Sequence, residues 1–374
     1  MKIGILTLPL HTNYGGILQA WALQTVLERM GHDVKVLSRD KKYKLSLFFW
    51  LVRVPSRIVR RMLGKNVGIL NEVYYNKVQD QIRVNIEPTI NQYIHRDKRY
   101  LDKISENDYD GFVVGSDQIW RPKYIKSTLK STIENAFLGF AKSWNVKRIS
   151  YAASFGTDEW EYTQEQTKTV SGLIQKFDAV SVREKSGQDL CINYMKVNAE
   201  HVLDPTMLLT KEDYVSAFNI EQEPKSKGSL MVYILDLSEE KKKLVEWVSK
   251  DKGLLPFTVG ARISDSNAPI EDRIQPKLQR WLRGFYDAEF IVTDSFHACV
   301  FSILFGKPFI AIGNAERGLS RFESLLGLFD LNKNLISDIF QYDSTKDYSI
   351  PYSAYQMLGQ WRDKSMTYLT SNLS

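Results

Sequence analysis

The stretch that most constrains the fold runs Ile291-Val292-Thr293-Asp294-Ser295-Phe296-His297-Ala298-Cys299-Val300-Phe301-Ser302-Ile303-Leu304-Phe305-Gly306-Lys307-Pro308-Phe309-Ile310-Ala311-Ile312. A short apolar run breaks at Thr293-Asp294-Ser295, apolar residues recur at helical spacing to Phe305, Gly306 ends the helix and Pro308 opens a second apolar run. The reading is strand, turn, helix, strand, the unit from which open α/β sheets are built. It predicts Asp294 or Ser295 as the helix cap. It also puts His297 in the first helical turn, at the carboxyl end of a strand, where such sheets hold ligands. Backbone N–H groups and the positive dipole end at that point suit an anion. Taken alone, the same residues equally describe a cap and a surface or core histidine.

Other strand ends repeat the pattern. Lys2 to Leu8 reads as a buried strand, Pro9 to Gly16 as a loop, Ile17 to Met30 as an amphipathic helix closed by Gly31, and Asp33 to Ser38 as a second strand. The loop holds Asn13-Tyr14-Gly15-Gly16, whose glycines permit close backbone approach to a ligand, and it lacks the G-x-G-x-x-G dinucleotide spacing. Tyr109 to Val114 runs into the polar turn Gly115-Ser116-Asp117-Gln118, and Ile149 to Ala153 runs into Ser154. Serine turns of this kind can be helix caps only, but in a parallel sheet their ends converge on one crevice. Ala179 to Val182 ends at Arg183, which can grip a carboxylate or phosphate with two parallel hydrogen bonds or can pair with neighbouring Glu184.

Thr293-Asp294-Ser295-Phe296-His297 followed by Phe305-Gly306-Lys307-Pro308-Phe309 resembles the signature of the polysaccharide pyruvyl transferase family. That family usually has glycine where this chain has Ala298, a change that adds one methyl and favours the helix. Asn13 to Ala20 resembles the amino-terminal motif of one branch of the family. Ser116-Asp117-Gln118 resembles its second signature, with Arg121 where asparagine is more usual. The likeness extends from Asn13 to Arg321. It implies an α/β fold of two doubly wound Rossmann-like domains facing across a cleft, as in GT-B glycosyltransferases. It further implies a transferase that makes a pyruvate ketal on a sugar from phosphoenolpyruvate, used as donor substrate with no cofactor. On this reading His297 is the acid–base group and Arg183 the anion clamp. Asn13, Gly15, Gly16, Ser116, Asp117, Gln118, Ser154, Asp294, Ser295, Arg317 and Arg321 line the substrate site. A GT-B glycosyltransferase using a nucleotide sugar, and a non-catalytic glycan- or membrane-binding protein, are the alternatives.

Length and rhythm agree with two domains. A chain of 374 residues exceeds one ordinary core. The expected division is 1–219, with a helical basic insertion at about 41–99; then 229–350; then a helix over 351–374 that packs back on the first domain. Cys191 and Cys299 are far apart, suggest a reducing compartment and supply no zinc site. Cys299, two residues after His297, is expected to face the core because its helix is apolar. No Walker motif appears, and Pro9, His11, Asn13 and Gly15-Gly16 interrupt any signal-peptide core, so the expectation is a cytoplasmic chain.

The net charge of +6 invites a nucleic-acid reading, but residues 39–65 alone carry +8 and the remainder −2. One local patch without a recognised motif argues against nucleic acid. Within it, Leu45 to Leu63 places Leu45, Phe48, Phe49, Val52, Val59, Met62 and Leu63 roughly on one face and Arg53, Arg57, Arg60 and Arg61 on the other. Two readings stay open: a helix lying on the inner face of the cytoplasmic membrane, with lipid-linked acceptors at hand, or a lid packed on its own domain.

Overall fold

The computed structural model describes residues 1–38, 42–43, 45–125, 132–263, 265–313 and 319–373. Two parallel five-stranded sheets carry the chain. The first contains β1 (Lys2–Leu6), β2 (Asp33–Leu37), β3 (Arg96–Asp97), β4 (Gly111–Val114) and β5 (Lys147–Ser150), in the order β3-β2-β1-β4-β5. Single bridges from Ile149 to Ala179 and from Ala153 to Val182 extend it to a parallel pair, β6 (Ser181–Val182) and β7 (Glu200–His201). The second sheet contains β8 (Leu230–Tyr233), β9 (Pro256–Thr258), β10 (Phe290–Thr293), β11 (Phe309–Ile312) and β12 (Leu335–Ile336), in the order β12-β11-β10-β8-β9. Both orders reverse direction once, between β1 and β4 and between β8 and β10, and a parallel sheet opens a ligand crevice at such a reversal. β4, β8, β10 and β11 are buried at every residue, as strands covered by helices on both faces must be.

The helix after β1, Tyr14–Arg29, departs from the expected amphipathic pattern, since it is buried almost all round. The second half of the chain lies on the face that a lone domain would expose. Trp21 packs 5.4 Å from Tyr214 and 4.7 Å from Phe218, and Tyr14 stacks on Trp281 at 5.3 Å. The Tyr14 hydroxyl donates to Pro276 O at 2.7 Å, and burial pushes its pKa well up. The last helix, Tyr352–Leu373, lies on the first sheet. The Tyr368 hydroxyl donates to Ser150 O at 2.8 Å, and Leu203 N donates to Ser365 Oγ at 3.0 Å.

The basic insertion forms the helices Val54–Met62, Asn71–Ile82 and Glu87–Tyr93, the first preceded by a wide turn at Phe49–Arg53. It is not wholly helical. It contains the edge strand β3, whose two residues pair with Val36 and Leu37 and are too few to leave a period in the sequence. Arg39, Lys41 and Lys44 of the basic count lie outside the described residues. Among the described residues no helix is long and apolar enough to cross a membrane.

Candidate active site

The carboxyl edges of the two sheets meet at Gly15 and His297. His297 stands in the first turn of the helix Phe296–Phe305, which leaves β10 at Thr293. A Cβ on Gly15 would lie 2.1 Å from His297 Nδ1 and 2.2 Å from its Cγ. The imidazole therefore rests against the Gly15 backbone, and glycine is required there for close approach. His297 is 7% exposed.

Behind the ring lies Asp204, which follows β7 and is fully buried. Its Oδ2 accepts from Arg183 Nη1 at 2.7 Å and from Ser116 Oγ at 3.5 Å, and stands 3.6 Å from His297 Nε2. Its Oδ1 accepts from Thr206 N at 3.0 Å and Thr206 Oγ1 at 2.6 Å. Burial opposes its charge, but His297, Arg183 and Thr206 hold the carboxyl far below the usual carboxylate range. Arg183, at the end of β6, also contacts Glu184 Oε1 through Nε at 3.3 Å, and Glu184 Oε1 accepts from Ser154 Oγ at 2.6 Å. Burial disfavours the Arg183 cation, yet Glu184 and Asp204 outweigh it and raise its pKa. Arg183 thus uses two of its nitrogens on carboxylates. Its Nη2, like His297 Nε2, is buried without a hydrogen-bond partner among the described residues.

Phe296 links this cluster to Arg321. The Arg183 guanidinium lies 4.5 Å and that of Arg321 5.7 Å from the Phe296 ring centre, both within reach of a cation–π contact. Burial first, and then repulsion from Arg183, lower the Arg321 pKa to about 10. Glu184 and Asp117 offset part of that repulsion, and the two buried guanidiniums flank one helix start, where backbone N–H groups also suit an anion.

The remaining predicted residues divide. Ser116 stands beside Asp204 as above, and its N–H donates to Gln19 Oε1 at 2.9 Å, while Gln19 Nε2 donates to Thr7 Oγ1 and Gly16 O, each at 2.9 Å. Gln19 thereby ties the first and fourth strand ends together. Asp117, with φ of 27°, accepts from Gln118 N through Oδ1 at 2.8 Å. A Cβ on Gly16 would lie 3.3 Å from Asp117 Oδ2 and 3.4 Å from Asn13 Nδ2, so these three adjoin. Gln118 is turned to Gly156 and to Arg121 Nη1, 3.3 Å from its Oε1, and Arg121 in turn grips Glu161.

Asp294 and Ser295 depart from the expectation. Ser295 occupies the cap position, but its side chain makes no capping hydrogen bond. Asp294 turns away to accept from Leu235 N at 2.6 Å, Asp236 N at 3.1 Å and Lys241 Nζ at 2.7 Å, so it fixes the loop after β8. Arg317 lies outside the described residues. Cys299 is buried, which raises its thiol pKa, and burial pushes the Cys191 thiol up to about 12. Asp204 is the residue that sequence reasoning passed over. The signal was available, for Asp204-Pro205-Thr206 follows a strand as the serine turns do.

Comparison with solved structures places the architecture. The chain is similar to UDP-GlcNAc 2-epimerase from Methanocaldococcus jannaschii, at 12% identity and a TM-score of 0.50, over 99% of this chain and 100% of that one. It is also similar to the UDP-GlcNAc 2-epimerase from Neisseria meningitidis solved with UDP-GlcNAc, at 9% identity and a TM-score of 0.45, over 97% and 100% of the two chains. The first likeness, at its low identity, concerns the fold alone, two Rossmann-like domains in the GT-B manner. Comparison with curated proteins gives no match. The family model for polysaccharide pyruvyl transferase matches residues 13–316, which span the glycine loop, the Ser116 turn, Arg183, Asp204 and His297. The chain belongs to the polysaccharide pyruvyl transferase family.

Proposed function

We propose that this transferase takes phosphoenolpyruvate as donor and closes a pyruvate ketal on a sugar acceptor, with release of inorganic phosphate and with no cofactor. The observation that carries the reading is the pair of buried nitrogens, Arg183 Nη2 and His297 Nε2, that make no hydrogen bond among the described residues, the second with only Asp204 Oδ2 at 3.6 Å, beside the start of the Phe296–Phe305 helix. A small trianion supplies acceptors for such donors, and Arg321 adds charge to the same wall.

In the reaction His297 gives a proton to the methylene carbon, so that C2 becomes electrophilic and the first sugar hydroxyl adds there. Phosphate then leaves with the C2–O bond, and a second hydroxyl closes the ketal. Of the two hydroxyl protons, one restores the proton spent on the methyl group and the other leaves with phosphate. Asp204, 3.6 Å from Nε2, stabilises the imidazolium formed in this exchange. Because Asp204 and Glu184 occupy two of the Arg183 nitrogens, Arg183 meets the donor through Nη2 alone, a single contact rather than a two-point grip.

Incubation with phosphoenolpyruvate and candidate sugar acceptors, with phosphate release followed, tests the proposal. Release of a nucleoside diphosphate from a nucleotide sugar, with phosphoenolpyruvate inert, would move the chain to the glycosyltransferase reading.

A further inference from the structure

The helix Val54–Met62 is built inside out. Its polar side faces the protein: Arg57 Nη1 and Nη2 donate to Glu72 Oε2 and Oε1 at 2.5 and 2.9 Å, Arg53 pairs with Glu72 at 3.3 Å, and Glu72 itself is buried. Phe49, in the preceding turn, is 3% exposed and fastens the segment at its other end. At ~100° per residue, Ile58, Val59 and Met62 lie roughly 100–200° round the helix from Arg57. They therefore face solvent, and Val54–Met62 has no buried residue at all. Phe48 is 67%, Leu51 66% and Met62 80% exposed, so the apolar strip continues through the turn. A lid packed on its own domain would bury these side chains, as Phe49 is buried; the lid reading fails.

We propose that this strip docks on an anionic lipid surface. Charge selects that occupant. Exposed Arg60, Arg61 and Lys65 border the strip, and no acidic residue occurs from Lys41 to Asn71. A second copy of the chain would bring two such basic rims together, whereas an anionic bilayer neutralises the rim while its interface takes up the apolar side chains. The docked helix is linked to the active site through two side-chain pairs. Arg57 holds Glu72 on the helix Asn71–Ile82, and Gln79 of that helix hydrogen-bonds His11 in the loop leading to Asn13 and Gly15.

Co-sedimentation of the full chain with phosphatidylglycerol–phosphatidylcholine vesicles tests this without turnover, so it is independent of the donor assignment. Binding is expected to the mixed vesicles, to weaken as salt is raised, and to be absent on phosphatidylcholine alone. Arg60→Glu with Arg61→Glu should lower vesicle affinity at least ~30-fold. Leu51→Glu with Met62→Glu should abolish binding. Both pairs are exposed and leave the Arg57–Glu72 anchor intact, so thermal stability and any phosphate release on a soluble acceptor should hold. No binding to the mixed vesicles, equal binding to neutral ones, or a concentration-dependent dimer that Met62→Glu dissolves would each overturn the proposal.

Discussion

Gly15→Ala tests the close approach at the heart of the site. The added carbon would lie 2.1 Å from His297 Nδ1, 2.2 Å from Cγ and 2.7 Å from Cε1, where an unstrained contact needs ~3.5–4.0 Å. The ring must therefore retreat by more than ~1 Å, or the Tyr14–Arg29 helix must move away from β10. Overpacking of this kind costs about 1–3 kcal/mol. Alanine recovers part of that, since it is better than glycine inside a helix by about 0.5–1 kcal/mol. The neighbouring glycine separates the two effects. On Gly16 the nearest atoms to the new carbon would be Asp117 Oδ2 at 3.3 Å, Asn13 Nδ2 at 3.4 Å and Asn13 Cγ at 3.5 Å, all in side chains that can yield. Gly16→Ala should then melt at or above the wild-type temperature, and Gly15→Ala should melt lower. A displacement near 1 Å in a reacting group lowers turnover by on the order of 10²-fold, so phosphate release should fall that far in Gly15→Ala and much less in Gly16→Ala. Differential scanning calorimetry and steady-state phosphate release read both. Equal activity and equal melting temperatures for the two variants would refute the steric argument.

His297→Gln should keep the fold and most donor affinity while turnover falls about 10²- to 10⁴-fold; wild-type turnover would remove the acid–base assignment. Arg183→Lys should weaken phosphoenolpyruvate binding in calorimetry and also lower the melting temperature, because one ammonium cannot reach Asp204, Glu184 and the donor at once. Unchanged donor affinity in Arg183→Lys and Arg183→Ala would return Arg183 to a structural role. His201, whose Nε2 lies 2.9 Å from Arg183 O, is lowered by burial to a pKa of about 4. The unfolded chain binds the extra proton first, so stability should be full above about pH 6.5 and decline as pH falls toward 4. Urea titrations of His201→Gln should show a flatter profile across that window.

The strand–turn–helix units were legible because each joins a period-free apolar run to a polar break, and a parallel sheet needs both. What escaped depended on contacts between distant segments. The Tyr14–Arg29 helix reads as amphipathic until Tyr214, Phe218 and Trp281 arrive from residues far along the chain. The capping potential of Asp294 is visible locally, whereas the Leu235 and Asp236 N–H groups that draw it away belong to the neighbouring strand's exit. Periodicity put Phe49 on one face with Phe48, Val52, Val59 and Met62, yet Phe49 is buried and the others are exposed, and buried Glu72 decides that the arginine side turns inward.

The helix between the two sheets has a consequence for how the molecule comes apart. One continuous apolar cluster runs from Ile3 and Val113 of the first sheet, through Trp21 and Tyr214, to Met231, Ile291 and Phe309 of the second and on to Leu369 of the terminal helix. Neither sheet owns that cluster, so neither half can melt without laying open the other. Heat should therefore take the chain through a single cooperative transition, with calorimetric and van't Hoff enthalpies in agreement, and halves expressed separately should remain molten.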